Sequence, residues 1–203
     1  MPLITPYVVA RSTDKGVPES ALDIEFLSNG QPRLTYKDLR PEDRDKHGNP
    51  WIRTEASPDP GRPLFDSLHS GRQRRCMEEM LCQVCAEPAD RNRDGWLFFD
   101  WRTEDSPATW PERSITFMPP LCVEHARVSV RQCPFLGRGE HVLLRVRKPH
   151  LYGVSGTIYT FTANGWRASE NDVISAYGKP RHPGMLAARL HRQLRDVTVV
   201  DLP

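Results

Sequence analysis

Two pairs of metal-ligating residue types, each with a two-residue gap, constrain this chain more than any other feature. Cys82-x2-Cys85 stands within Leu81-Cys82-Gln83-Val84-Cys85-Ala86, and Cys122-x2-His125 follows 36 residues later, with Cys133 seven residues beyond. A C-x2-C turn lets two thiolates face one ion while backbone amides point at the sulfurs. The second pair comes directly after Pro119-Pro120, at the expected start of a helix, where unpaired amides favour negative charge. Four nitrogen or sulfur ligands closed around one ion are the structural type of zinc site. The spacing therefore predicts one structural Zn2+ held by Cys82, Cys85, Cys122 and a fourth ligand, His125 or Cys133. The competing reading is a set of buried cysteines with a reactive C-x2-C redox pair, but no thioredoxin-like βαβ pattern surrounds Cys82.

The choice of fourth ligand turns on helix length. Val123, Ala126 and Val130 fall at i, i+3 and i+7, one face of a helix running to about Arg131. Cys133 then lies near the far end, roughly 15 Å from the start at about 1.5 Å per residue. Spacing favours His125 and makes Cys133 a core thiol, with Cys133 kept as the alternate ligand. Cys76 reads as a small core residue. Five cysteines, an odd number, without a basic, apolar leader at Met1–Ala10 argue against a disulfide framework and for a cytoplasmic location.

Around this motif the expected fold class is α+β, with mixed small sheets and short helices around a zinc-binding module. Strand candidates at Tyr7–Ala10 and Leu22–Leu27 precede an Asn29-Gly30 turn that closes a hairpin onto Arg33–Tyr36. Residues 38–50 read as an exposed charged loop, and Trp51–Ala56 as a strand. A helix is expected over about Pro63–Leu81, or from Ser70 if Gly71 weakens its start. Trp96–Trp101 and Ser114–Met118 are expected as the two strands that bring the half-sites together. His141–Arg147 and Gly156–Thr162 are further strands, with Tyr152–Gly156 as a loop. Leu186, Leu190 and Leu194 repeat at i, i+4 and i+8 and predict an amphipathic helix over Pro183–Arg195, before a strand at Val197–Leu202. The consecutive division is residues 1–63, 64–136 and 137–203, as one compact unit.

A knuckle, a β-hairpin and a helix carrying the second ligand pair resemble a treble-clef zinc finger. The wording of Gly71-Arg72-Gln73-Arg74-Arg75, Leu81-Cys82-Gln83-Val84-Cys85, Pro119-Pro120-Leu121-Cys122 and Cys133-Pro134 is similar to a group of uncharacterised actinobacterial proteins. That resemblance brings no assigned activity. Treble clefs include HNH nucleases, which place a catalytic histidine on the hairpin. No histidine lies between Cys85 and Cys122, so the base that would activate water is missing there. A divergent HNH-like nuclease or hydrolase is the alternative reading, and a non-enzymatic binding protein the leading one.

Charge does little to choose a partner. The net charge of +2 is too small to argue for nucleic acid by itself. The cations are skewed, however, with 23 arginines against 5 lysines. Arg72, Arg74, Arg75, Arg91 and Arg93 form a candidate phosphate or partner contact beside the zinc motif. Trp96, Phe98, Phe99 and Trp101 would supply stacking; the competing reading is a solvated arginine face over an aromatic core. His47, His69, His141, His150, His182 and His191 are scattered and read as surface residues. No run of about 18 apolar residues exists, so no membrane partner is expected.

Overall fold

The computed structural model describes residues 3–55, 57–59, 61–134, 136 and 141–202. Its strands are β1 (Val9–Arg11), β2 (Lys15–Gly16), β3 (Leu22–Phe26), β4 (Pro32–Tyr36), β5 (Thr54–Glu55), β6 (Pro63–Leu68), β7 (Arg91–Asn92), β8 (Gly95–Trp101), β9 (Ile115–Thr116), β10 (His141–Thr162), β11 (Gly165–Ala176) and β12 (Met185–Val200). Its helices are α1 (Ser70–Glu79) and α2 (Val123–Gln132). Mixed small sheets with two helices fit an α+β class loosely, because strand dominates. Contacts group the chain into two units that are discontinuous in sequence. One is residues 1–10, 63–152 and 191–203, and the other is residues 11–62 and 153–190.

In the first unit the sheet runs β7-β8-β10-β12-β9, and β1 pairs with β6. β8 and β10 are antiparallel from His141↔Trp101 to Val146↔Trp96. The turn that feeds β8 depends on Gly95. Its φ is +109°, and a Cβ there would sit 2.1 Å from the Val146 carbonyl oxygen. Phe98, Leu144, Val146 and Leu194 form one buried cluster. Cys82, Leu97, Phe99, Leu121, Ala126 and Leu143 form another, beside the metal motif. α1 starts at Ser70, with the His69 side chain accepting from the Arg72 N–H at 3.3 Å. The Pro63–Leu68 stretch ahead of it is strand β6, so the longer helix from Pro63 does not form. At its other end Met80 is left-handed, and the buried Arg192 guanidinium donates to the carbonyls of Met77 and Glu78. Those are the carbonyls a helix end leaves unpaired.

In the second unit β3 and β4 form the expected hairpin, from Leu22↔Tyr36 to Phe26↔Pro32, with Gly30 at φ +78° in the turn. The Gly153–Thr162 portion of β10 pairs with β11 across the Asn164-Gly165 turn. Leu22, Leu34, Tyr36, Trp166 and Leu186 are its core.

Five local expectations are corrected. Leu186, Leu190 and Leu194 lie on a strand, β12, with exposures of 5%, 1% and 0%. A spacing of four satisfies a helix face and also one face of a strand, and the pairing of β12 with β10 and β9 decides between them. Tyr152–Gly156 is strand rather than loop, because β10 runs through it unbroken. The 38–50 segment is not simply exposed: Asp43, Asp45 and Asn49 are buried, their polar atoms occupied by hydrogen bonds. His69 and His191 are buried rather than on the surface. The strand expected over Trp51–Ala56 shortens to β5, and Ala56 lies outside the described residues.

Candidate metal centre

Helix α1 ends at Glu79 and hands the chain to a tight knuckle. The Cys82 N–H donates to the Glu87 carbonyl at 2.7 Å, and the Ala86 N–H donates back to the Cys82 carbonyl at 2.9 Å. Ala86 takes φ +62°, the left-handed conformation that lets the chain reverse after Cys85. Leu81 and Pro88 bridge across the base of the turn. β7 and β8 follow as a short hairpin, with Arg91↔Trp96 and Asn92↔Gly95 in register.

The second half-site is stitched onto this frame through the two residues before Cys122. The Gln83 N–H donates to the Pro120 carbonyl at 3.0 Å. The Asp90 N–H donates to the Leu121 carbonyl and the Leu121 N–H to the Leu97 carbonyl, both at 2.9 Å. Of the two strands expected at 96–101 and 114–118, β8 pairs with β7 and β10, and the shorter β9 pairs with β12. The half-sites meet through backbone bonds to Pro120 and Leu121 instead.

Cys122 is the N-cap of α2 with extended φ/ψ, and His125 sits on the first helical turn. That offset turns both side chains the same way, and the Cys122 Sγ lies 3.0 Å from the His125 Nδ1. The donor atoms of Cys82, Cys85, Cys122 and His125 all lie within 4.8 Å of one another, so the four can hold a metal ion. A tetrahedron with about 2.3 Å bonds to sulfur and about 2.0 Å to nitrogen has edges of roughly 3.5–3.8 Å. The donors present are of the right type and number, and small side-chain adjustments bring them to that size. Cys82 is fully buried and the other three partly so. Burial, then the nearby Cys82, raises the Cys85 thiol, opposed by its hydrogen bond to Glu87. A cation offsets such a penalty when it binds the thiolate. All five cysteines are free of disulfides.

Cys133 is outside the cluster. It caps the opposite end of α2, where its N–H donates to the Ser129 carbonyl at 2.8 Å, and it packs against the core beside Leu136. Cys76 is buried behind the knuckle, its thiol pushed up to about 12 by burial and the neighbouring Cys82.

The five candidate arginines are not one free patch. Arg72 donates to the carbonyls of Tyr7 and Val9, both at 3.1 Å. Arg74 and Arg75 pair with Glu78 and Glu79 one helical turn on, and Arg75 also reaches the Tyr7 hydroxyl. Arg91 lies 4.1 Å over the Trp96 ring. Arg93 has a side chain 92% exposed, with Asp94 at 3.5 Å. Arg192, which holds the end of α1, was not visible in the sequence because its carbonyl partners lie more than a hundred positions away. Among the described residues no helix is long and apolar enough to cross a membrane. Comparisons with protein-family models, with curated proteins and with solved structures return no match to this chain.

Proposed function

We propose that Cys82, Cys85, Cys122 and His125 hold one structural Zn2+ in a treble-clef-like module, and that the protein is a non-enzymatic binding protein. The observation that carries this reading is the convergence of four soft or borderline donors within 4.8 Å from two half-sites far apart in sequence. All four positions are protein ligands, which is the closed arrangement of a structural ion rather than the open one of a catalytic ion. The absence of any histidine between Cys85 and Cys122 also weighs against an HNH-like nuclease. The ion links the turn after α1 to the start of α2, adding stability to a chain with 38% hydrophobic residues.

The partner is another protein or a nucleic acid. The internal pairing of Arg72, Arg74 and Arg75 favours a protein, because those guanidinium groups already have acceptors. The exposure of Arg93 favours phosphate at the β7–β8 turn.

Elemental analysis of the purified chain and of Cys82→Ser tests the first claim: one zinc per wild-type chain is expected, and a metal-free wild type overturns it. Retention on immobilised DNA or RNA in a salt gradient tests the second. Salt-sensitive retention lost in Arg91→Ala/Arg93→Ala selects nucleic acid, and no retention selects a protein partner. Divalent-metal-dependent cleavage of plasmid DNA by the wild type would overturn the non-enzymatic reading.

A further inference from the structure

The first unit contains a cavity of about 470 Å3 beside the metal cluster. Two of its walls are continuous with the metal half-sites. Gln83 and Val84 come from within the Cys82–Cys85 turn, and Val128, Ser129 and Cys133 from α2. Val8, Leu68 and Phe99 are among the apolar side chains that complete it. The volume falls within the range of small-molecule sites, roughly 300–1,000 Å3.

The chemistry of the lining selects the ligand. Among the described residues, no Asp, Glu, Lys, Arg or His lines the cavity. A charged ligand would lose its hydration with no countercharge to replace it. The polar side chains in the lining are Gln83, Ser129 and Gln132. Gln83 is only 7% exposed, and its backbone bonds to Pro120 and Val8 are made. Among the described residues its carboxamide has no hydrogen-bond partner. A carboxamide set in an otherwise apolar lining offers an entering ligand one donor and one acceptor where the walls offer few.

We propose that this cavity binds one uncharged, mainly apolar small molecule carrying a single amide or hydroxyl group, which hydrogen-bonds to the Gln83 carboxamide. The site is separate from the metal cluster but shares its two supports, so a ligand here senses whether those supports are held together.

The test uses the full chain as purified, with its metal content measured on the same sample. Nile red, a neutral dye, is titrated against the protein and then displaced by decanamide, decan-1-ol or decanoate at about pH 8. Saturable binding at one dye per chain is expected, displaced by the amide and the alcohol. Decanoate, ionised at that pH, is expected to compete at least about tenfold less well. Gln83→Leu should weaken decanamide by about three- to tenfold while leaving the dye nearly unaffected. Ser129→Trp, which fills the cavity from α2, should reduce dye binding by about tenfold or more. Absent or unsaturable dye binding overturns the proposal, as does equal competition by decanoate and decanamide in both wild type and Gln83→Leu. Dye binding by a zinc-free chain leaves the cavity proposal standing and removes the zinc reading. A zinc-loaded chain that binds no dye does the reverse.

Discussion

The Leu121 N–H donates to the Leu97 carbonyl at 2.9 Å, and this bridge seats Cys122 beside the turn that carries Cys82 and Cys85. Leu97 and Leu121 are both nearly inaccessible, so the bond that joins the half-sites is shielded from competing water. The candidate metal-binding cluster is therefore built on a frame that backbone hydrogen bonds already define.

That frame makes the ligand set testable residue by residue. His125→Ala should lower zinc affinity by roughly 3 kcal/mol, about a quarter of the roughly 12 kcal/mol typical of a structural site. Cys133→Ser, at the far end of α2, should keep one zinc per chain with affinity unchanged. Competition with a chromophoric chelator measures both. Equal losses in the two variants would show that the helix rather than the donor atom matters.

Arg192 is expected to support the knuckle from behind. Its buried guanidinium donates to the Met77, Glu78 and Pro149 carbonyls. Burial, only partly offset by Glu78, lowers its pKa to about 10, so it stays charged at neutral pH. Arg192→Leu should cost on the order of 2–4 kcal/mol, because it leaves the end of α1 unsatisfied. Urea denaturation of the zinc-loaded protein reads this, and a change within about 0.5 kcal/mol would refute the capping role.

Gly95 should tolerate no side chain. Gly95→Ala would combine φ +109° with a Cβ 2.1 Å from the Val146 carbonyl oxygen, in the turn between β7 and β8. A loss of about 3 kcal/mol or more in stability is expected. Gly165→Ala, also at positive φ (+92°) but with nothing within 4 Å, is the control for backbone strain alone and should cost about 1 kcal/mol.

Asp45 should make the second unit acid-sensitive. Its carboxylate accepts from the N–H groups of His47 and Asn49, the Asn49 amide, the Trp51 indole and the Tyr177 hydroxyl. Burial alone would raise its pKa, but these hydrogen bonds outweigh burial and hold it below the usual carboxylate value. A depressed folded-state pKa gives stability that is complete above the unfolded value of about 3.9 and lost as pH falls through the folded one. Tryptophan fluorescence should accordingly report a fall in stability below about pH 4. Asp45→Ala should lose on the order of 2–4 kcal/mol at neutral pH and flatten this acid dependence. An unchanged acid profile in the variant would assign the effect elsewhere.

Much of the candidate metal centre was legible in the sequence because its information is local. Two residues of spacing in Cys82-x2-Cys85 and in Cys122-x2-His125 suffice to turn each pair toward one point, whatever surrounds them. The Asn29-Gly30 hairpin was legible for the same reason: a turn residue fixes its neighbours' pairing. Which strands lie side by side was not. The leucines at 186, 190 and 194 satisfy a helix and a strand alike, and only the partners of β12 settle the matter. The cavity beside Gln83, the acceptors of Arg192 and the five donors around Asp45 are likewise tertiary. Each depends on groups brought together from distant parts of the chain, and periodicity along a sequence carries no record of what stands opposite.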